Sequence, residues 1–287
     1  MIVFLTRHKC ASMWINSILR EVAGVTGLTF EYVYKSTIYG QDVHNYINAK
    51  DIDIVSCGNP TLEDVRKMKA FRGFHAIRDP RDMVVSGYFS HRNSHWFKPG
   101  TYPKEHQTQL RALGKNEGLH AEIEFSRRFL EPIADWDYSM PNVMELRFEE
   151  LTSSPYDTFL DVFRFLGVLD EGAWTYRARF VDTSVYALNK AHRRYPRLMP
   201  TSLRKRHIRA EKLLGIVHKL RFSKMSKGRK RGEEDVSGHM RKGVPGDWRN
   251  HLTPDHVAHF KEAYPGLVSR LKYEPDESWG VAPRSNH

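Results

Sequence analysis

Short apolar runs rich in β-branched and aromatic residues alternate along this chain with stretches of helical spacing. The runs are IVFL from Ile2, IDIVSC from Ile52, GFHAI from Gly73 and NVMELRF from Asn142. Between them lie MWINSILREV from Met13, LEDVRKM from Leu62, DMVVSGYFSH from Asp82 and DTFLDVFRFLG from Asp157. Such alternation predicts an α/β architecture, a central parallel sheet flanked by helices. Ligands of such sheets sit beyond the carboxyl ends of the strands, where TRHKCAS and IRDPRD fall. Two stretches break the pattern. Residues 91–119, rich in His, Lys, Gly and Pro, read as a long surface excursion. Residues 190–231 carry a helical middle, IRAEKLLGIVHKL, flanked by basic runs and with no sign of core.

Composition narrows the class. The 287 residues, 40% hydrophobic and 28% charged, suit a single domain over 1–287, with 190–231 as a basic insert and 274–287 as a flexible tail. No apolar run approaches the ~18 residues of a spanning helix, and the apolar run that opens the sequence is expected to be a strand and not a secretory leader. Cys10 and Cys57 form neither a disulfide framework nor a metal-ligand spacing. A cytoplasmic protein is expected, with peripheral membrane contact left open. The formal charge of +11 is uneven: residues 190–231 hold 16 Lys or Arg against one acid, Glu211, so the remaining chain is mildly acidic.

Four segments carry chemistry. MIVFLTRHKCASMW is a strand, a basic turn and a helix start, without the glycines and Gly-Lys-Ser/Thr ending of a nucleotide triphosphatase. Backbone N–H groups at such a turn, Lys9 and the Ser12 hydroxyl make an anion site. In IRDPRDMVVSGYFSH, Arg78 ends a strand, Pro80 opens a helix and Ser86 lies two turns on, so one anion can meet both. LRFEELTSSPYDTFLDVFRFLGV is mostly core, except Phe148, an aromatic on a loop at the ligand edge. HMRKGVPGDWRNHLT supplies a flexible cationic loop from Arg241, Lys242 and Gly243. Taken singly, each also fits a plain turn, surface ion pair or solvated basic loop.

Together, in this order, the four resemble the sulfotransferases that use 3′-phosphoadenylyl sulfate (PAPS), whose fold is like that of the P-loop nucleotide hydrolases. TRHKCASMW is similar to the family's T-Y-P-K-S-G-T-T-W loop at Thr6, Lys9 and Trp14, with Ser12 for a threonine. RDPRDMVVSGYF resembles R-x-P-[KR]-D-x-x-V-S, RKGVPGDW resembles R-K-G-x-x-G-D-W, and FEELTSSPYDTFLDVFRFLGV resembles the Y-E-D-L…P…FLG segment. The resemblance implies sulfuryl transfer from PAPS to an alcohol, lipid or sugar hydroxyl, with adenosine 3′,5′-bisphosphate (PAP) released and no metal required. It implies that Arg7, His8, Lys9, Cys10, Ala11, Ser12 and Met13 cradle the 5′ end, with Lys9 at the oxygen bridging phosphorus and sulfur. It assigns Arg78, Ser86, Arg241, Lys242 and Gly243 to the 3′-phosphate, and Trp14, Phe148 and Phe222 to the adenine.

The chain departs from the family pattern. Ala11 replaces the loop glycine, so the backbone there is expected to avoid positive φ. Arg7 and His8 replace Tyr-Pro and add positive charge beside the sulfonate. The histidine base of small-molecule members is missing from its usual place, which reads SCGNP here. Glu31, spaced like the glutamate base of glycan and tyrosyl members, leads as its substitute, with His44, His91 and His95 behind. The usual dimerisation motif also fails in RNHLTPDHVA, leaving the oligomeric state open. Acceptor walls would come from 29–48, 91–119 and the basic insert, with aromatics such as Tyr32, Tyr34, Tyr39, Trp96 and Phe97. The rival reading is a nucleic-acid- or polyanion-binding protein using 190–231; that segment lacks a nucleic-acid motif, so no nucleic-acid partner is expected, and an anionic membrane surface suits it as well.

Overall fold

The apolar runs become strands whose residues are covered on both faces, as a parallel sheet requires. In the computed structural model, which describes residues 1–34, 42–94, 102–172, 175–195 and 203–280, Val3, Phe4 and Leu5 are fully buried. Five strands, β1 (Ile2–Thr6), β2 (Phe30–Tyr34), β3 (Ile54–Gly58), β4 (Arg72–Ile77) and β5 (Val143–Arg147), form one sheet in the order β2-β3-β1-β4-β5. The pairs β1–β3, β1–β4 and β2–β3 are parallel. The chain leaves β1 toward β2 on one side and β4 toward β5 on the other, so the connections part between β1 and β4. That is the switch point where open α/β sheets bind ligands. Strand β2 lies in LTFEYVY and, with the helix Val43–Asn48, gives regular structure to part of 29–48, the stretch expected to wall the acceptor.

The chain divides into two units. The first comprises 1–7, 11–76 and 137–221. Its helix Ser12–Thr26 buries Ile15, Ile18, Leu19 and Val22 at i, i+3, i+4 and i+7 and stops at Gly27, whose φ of 69° a side chain would strain. Residues 190–231 are not devoid of core: in the helix Ala210–Lys219, Leu213, Ile216 and Val217 are buried, facing Ser12–Thr26 and Pro155–Phe165. Ile208–Arg209 also pairs with Leu169–Asp170 in a short second sheet. Part of the segment's charge meets acids brought in from elsewhere: Arg204 pairs with Asp53, Lys205 and Arg209 with Asp182, and Lys219 with Glu21.

The second unit comprises 8–10, 77–136 and 222–287. Residues 91–119 are not a surface excursion in their described part. They include the helix Tyr102–Ala112 and the start of Lys115–Phe125, and His91, His106, Gln107, Leu110 and Leu119 are buried. Hydrophobic count missed this because the buried positions are largely polar and satisfied by one another. Gly87 and Gly118 permit the packing: a Cβ would meet Glu122 Oε1 at 2.4 Å in one and Tyr88 at 2.7 Å in the other. Among the described residues no helix is long and apolar enough to cross a membrane.

Candidate anion-binding site

In the second unit, Lys9 and the start of the helix Pro80–Phe89 come together. Arg78 Nη1 donates to the Lys9 carbonyl at 3.4 Å, and the guanidinium, 6% exposed, lies 3.6 Å from Asp82. Asp79 caps the helix by accepting from the Arg81 backbone N–H, and Pro80 occupies the first turn as the sequence predicts. Lys9 itself has φ 63°. Burial, then the Arg78 charge, with Arg241 adding to it against Glu122, pulls its ammonium from the usual lysine value down to about 7. Three of the cations expected from separate segments therefore act on one another.

The loop carrying Arg241 is held by carboxylates. Asp247 accepts from Arg241 Nη2 and Lys242 Nζ, each at 2.6 Å, and faces His251 at 3.1 Å. Burial pushes the Asp247 carboxyl up, but His251, Lys242, Asn250 and Arg241 outweigh it and hold it well below the carboxylate range. Arg241 also pairs with Glu234 and lies 4.7 Å over the Phe89 ring. Its Nε is buried with no hydrogen-bond partner among the described residues, a donor that suits an anionic oxygen. Gly243 has φ 71°, and a Cβ there would stand 2.5 Å from the Phe222 ring, so the absence of a side chain lets the ring approach the backbone.

Asp82 ties the two cationic segments together. Its oxygens accept from the backbone N–H of Gly246 at 2.6 Å and of Trp248 at 2.9 Å, while it faces Arg78. Arg81 lies over Trp248 and Trp279, 4.0 and 4.6 Å from their centroids, and pairs with Asp79 and Glu274. Sequence reasoning named neither Asp82 nor Asp247 as a site residue. The signal was present in their recurrence within the two matched motifs, RDPRD and GDW. Ser86 lies half-buried on the same helix as Arg78.

A second polar cluster occupies this unit. Glu122, fully buried, faces His91 Nδ1 at 2.9 Å and His106 Nε2 at 2.8 Å, and His8 Nε2 lies 2.9 Å from His91 Nε2. The donor atoms of His91, His106 and Glu122 are mutually within 4.8 Å, as are those of Glu234, Asp247 and His251. In the first group each carboxylate oxygen already faces an imidazole nitrogen, and in the second Asp247 already meets Arg241 and Lys242, so hydrogen bonding explains both geometries.

Apart from Cys10, which belongs to the second unit, the remaining described candidates lie in the first unit. Arg7 brings no surface charge: 1% exposed, its guanidinium bonds His75 Nε2 at 2.9 Å and the Pro60 carbonyl at 2.8 Å. Ala11 does adopt the positive φ that its side chain was expected to forbid, at 59°, as the N-cap of the first helix. The left-handed region is costly for alanine yet sterically allowed, and the turn out of β1 requires it. Ser12 is half-buried and Met13 is 49% exposed. Trp14 is buried edge-on to Phe159. Phe148 is not on a loop: it begins the helix Phe148–Ser153 and is 8% exposed. Glu31 accepts from Tyr46 and pairs with Lys50 at 3.2 Å, and His44 faces Asp64 at 3.3 Å. His95, Tyr39, Trp96 and Phe97 lie outside the described residues. Cys10 is buried, its thiol facing the His8 carbonyl and Met83.

Comparison with known proteins bears on this geometry. Residues 201–272 match the family model described as Sulfotransferase domain. The fold is similar to that of mouse sulfotransferase SULT7A1 complexed with PAP, at 14% identity, covering 95% of this chain and 85% of that one with a TM-score of 0.51. Retinol dehydratase in complex with androsterone and inactive cofactor PAP aligns at 12% identity over 93% of this chain and 80% of that one, with a TM-score of 0.46. No curated protein matches in sequence. The α/β architecture expected from the alternation of runs is thus a fold shared with mouse sulfotransferase SULT7A1.

Proposed function

We propose that this chain is a sulfotransferase that binds PAPS and moves its sulfuryl group to a hydroxyl of an alcohol, lipid or sugar, releasing PAP. The observation that carries the reading is the convergence of Lys9, Arg78 and Arg241, whose mutual repulsion an anionic ligand relieves. The buried Arg241 Nε adds a donor with no protein partner among the described residues. These groups fit a nucleotide bearing separate phosphates. Arg78, Ser86, Arg241, Lys242 and Gly243 would hold the 3′-phosphate, with Phe222 beside the base. PAPS supplies the activated sulfur when bound. Lys9 would stabilise the negative charge that develops on the bridging oxygen, and positioning with charge stabilisation does most of the work in such transfers. The roles of Ala11, Ser12, Met13, Trp14 and Phe148 rest on the sequence resemblance.

An acceptor hydroxyl must lose its proton to a base. Glu31 and His44 stand as the sequence candidates, each engaged with a partner of opposite charge or proton demand. Polyanion binding through 190–231 is the weaker reading, because Arg204, Lys205, Arg209 and Lys219 already pair with acids. Contact of that segment with an anionic membrane surface remains a proposal from composition.

Thermal unfolding tests the reading. PAP should raise the melting temperature in a concentration-dependent way, while ATP with magnesium should not, since only a ligand of the native state stabilises it. Equal effects of the two, or none from PAP at millimolar concentration, would refute it.

A further inference from the structure

We propose that His8 takes the acceptor's proton during sulfuryl transfer, with His91 and Glu122 acting as positioning residues that fix which of its nitrogens is basic. The inference rests on the PAPS reading for the location of the reacting atoms, and on hydrogen-bond logic for the rest.

Glu122 is fully buried, and His91 and His106 are 1% and 4% exposed. Burial pushes the Glu122 carboxyl up, but the two imidazoles outweigh it and bring its pKa below the ordinary value, so the group is a carboxylate at neutral pH. A carboxylate only accepts hydrogen bonds. His91 Nδ1, at 2.9 and 3.0 Å from its two oxygens, and His106 Nε2, at 2.8 Å, are therefore both N–H donors. With the His91 ring taken in its single-proton form, the proton is on Nδ1 and the lone pair on Nε2, so that His8 Nε2, 2.9 Å away, donates to it. The tautomer of His8 follows: proton on Nε2, basic lone pair on Nδ1. The carboxylate thus dictates, through one intervening ring, the protonation of a third residue.

Geometry also selects His8 as the working end of the chain. It is half-buried where the other three members are enclosed. Its ring stacks on Phe129 with centroids 4.2 Å apart at 21°, which sets its orientation. It immediately precedes Lys9, the residue assigned to the bridging oxygen. In the step, the acceptor oxygen forms a bond to sulfur as the bond from sulfur to the bridging phosphate oxygen breaks. The electron pair goes to the phosphate oxygen facing Lys9, and the acceptor proton goes to His8 Nδ1. The Nε2 proton can then shift toward His91, whose charge is offset by Glu122, and the extra proton later returns to water. This arrangement supplies a histidine base although SCGNP carries none.

The test has two parts. Long-range proton–nitrogen NMR on the nitrogen-15-labelled chain should show His91 protonated on Nδ1 and His8 on Nε2, and His91→Gln should release His8 to a tautomer mixture. For turnover, PAPS consumption is followed with a panel of phenols, sterols and oligosaccharides, water serving where none accepts. His8→Gln should lower turnover at saturating PAPS by about 10²–10⁴-fold while calorimetry still detects PAP binding, so that the loss lies in the transfer step and not in the fold of the loop. His8 protonated on Nδ1 in the wild type would overturn the inference. So would a His8→Gln variant that binds PAP and turns over within about fivefold of wild type on the same scale, or Glu31→Gln abolishing turnover while His8→Gln spares it. Failure of the wild type to bind PAP would refute the PAPS reading instead, leaving the tautomer measurement to decide the relay.

Discussion

Binding of PAP should carry a proton with it, and the protonation of Lys9 sets how many. In the free protein desolvation, and then the charges of Arg78 and Arg241, pull this ammonium down to about 7. A phosphate oxygen at Lys9 favours the charged form and would return it toward the ordinary lysine value of about 10.4. The sign is then fixed: the cation binds, so affinity is greatest below 7 and falls as pH rises through the free-state value. For a shift of that size, the dissociation constant should rise by about 50-fold between pH 7 and 9, roughly 2.3 kcal/mol. At pH 8 each PAP should take up about 0.9 proton. Two groups at the site leave this window clear. A phosphate monoester is fully ionised above its second pKa of about 6, and His239, lowered by desolvation and by Lys9, is neutral there. Calorimetry in two buffers of different ionisation heat reads the uptake directly, and Lys9→Met should bind weakly with no pH slope. A wild-type dissociation constant that stays flat from pH 7 to 9 would show that Lys9 does not meet the anion.

Two further outcomes follow from the geometry. Ala11 holds φ 59°, so Ala11→Gly should stabilise the chain by about 1 kcal/mol, a rise of about 2–4 °C in calorimetric melting temperature; a lower melting temperature would mean that the strain is not there. Asp247→Asn removes the counter-charge of Arg241 and Lys242 at a site 2% exposed and should cost about 3–5 kcal/mol. Because the folded-state pKa of Asp247 is depressed, its contribution is complete above about pH 4 and is lost as pH falls further. The variant should therefore show a shallower acid loss of stability than wild type in urea titrations, and parallel curves would refute the assignment.

Much of the architecture was legible from local pattern alone. The spacing of Ile15, Ile18, Leu19 and Val22, the continuous run Val3–Leu5 and the breaks at Gly27 and Pro80 determine a βαβ alternation, because helix and strand periods are properties of adjacent residues. The same holds for the cationic segments, since Lys9, Arg78 and Arg241 announce an anion by type and position. What only the tertiary structure decided is who faces whom. Asp82 reaches Gly246 and Trp248 across more than 160 residues, and Glu122 orders His91, His106 and through His91 the ring of His8. Residues 190–231 looked like a bare basic arm until Asp53, Asp182 and Glu21 were brought to them. Ala11 shows the same limit at the scale of one dihedral, since the turn leaving β1 imposes a conformation that its side chain disfavours. Charge pairing and imposed backbone strain depend on neighbours distant in sequence, and no local period encodes them.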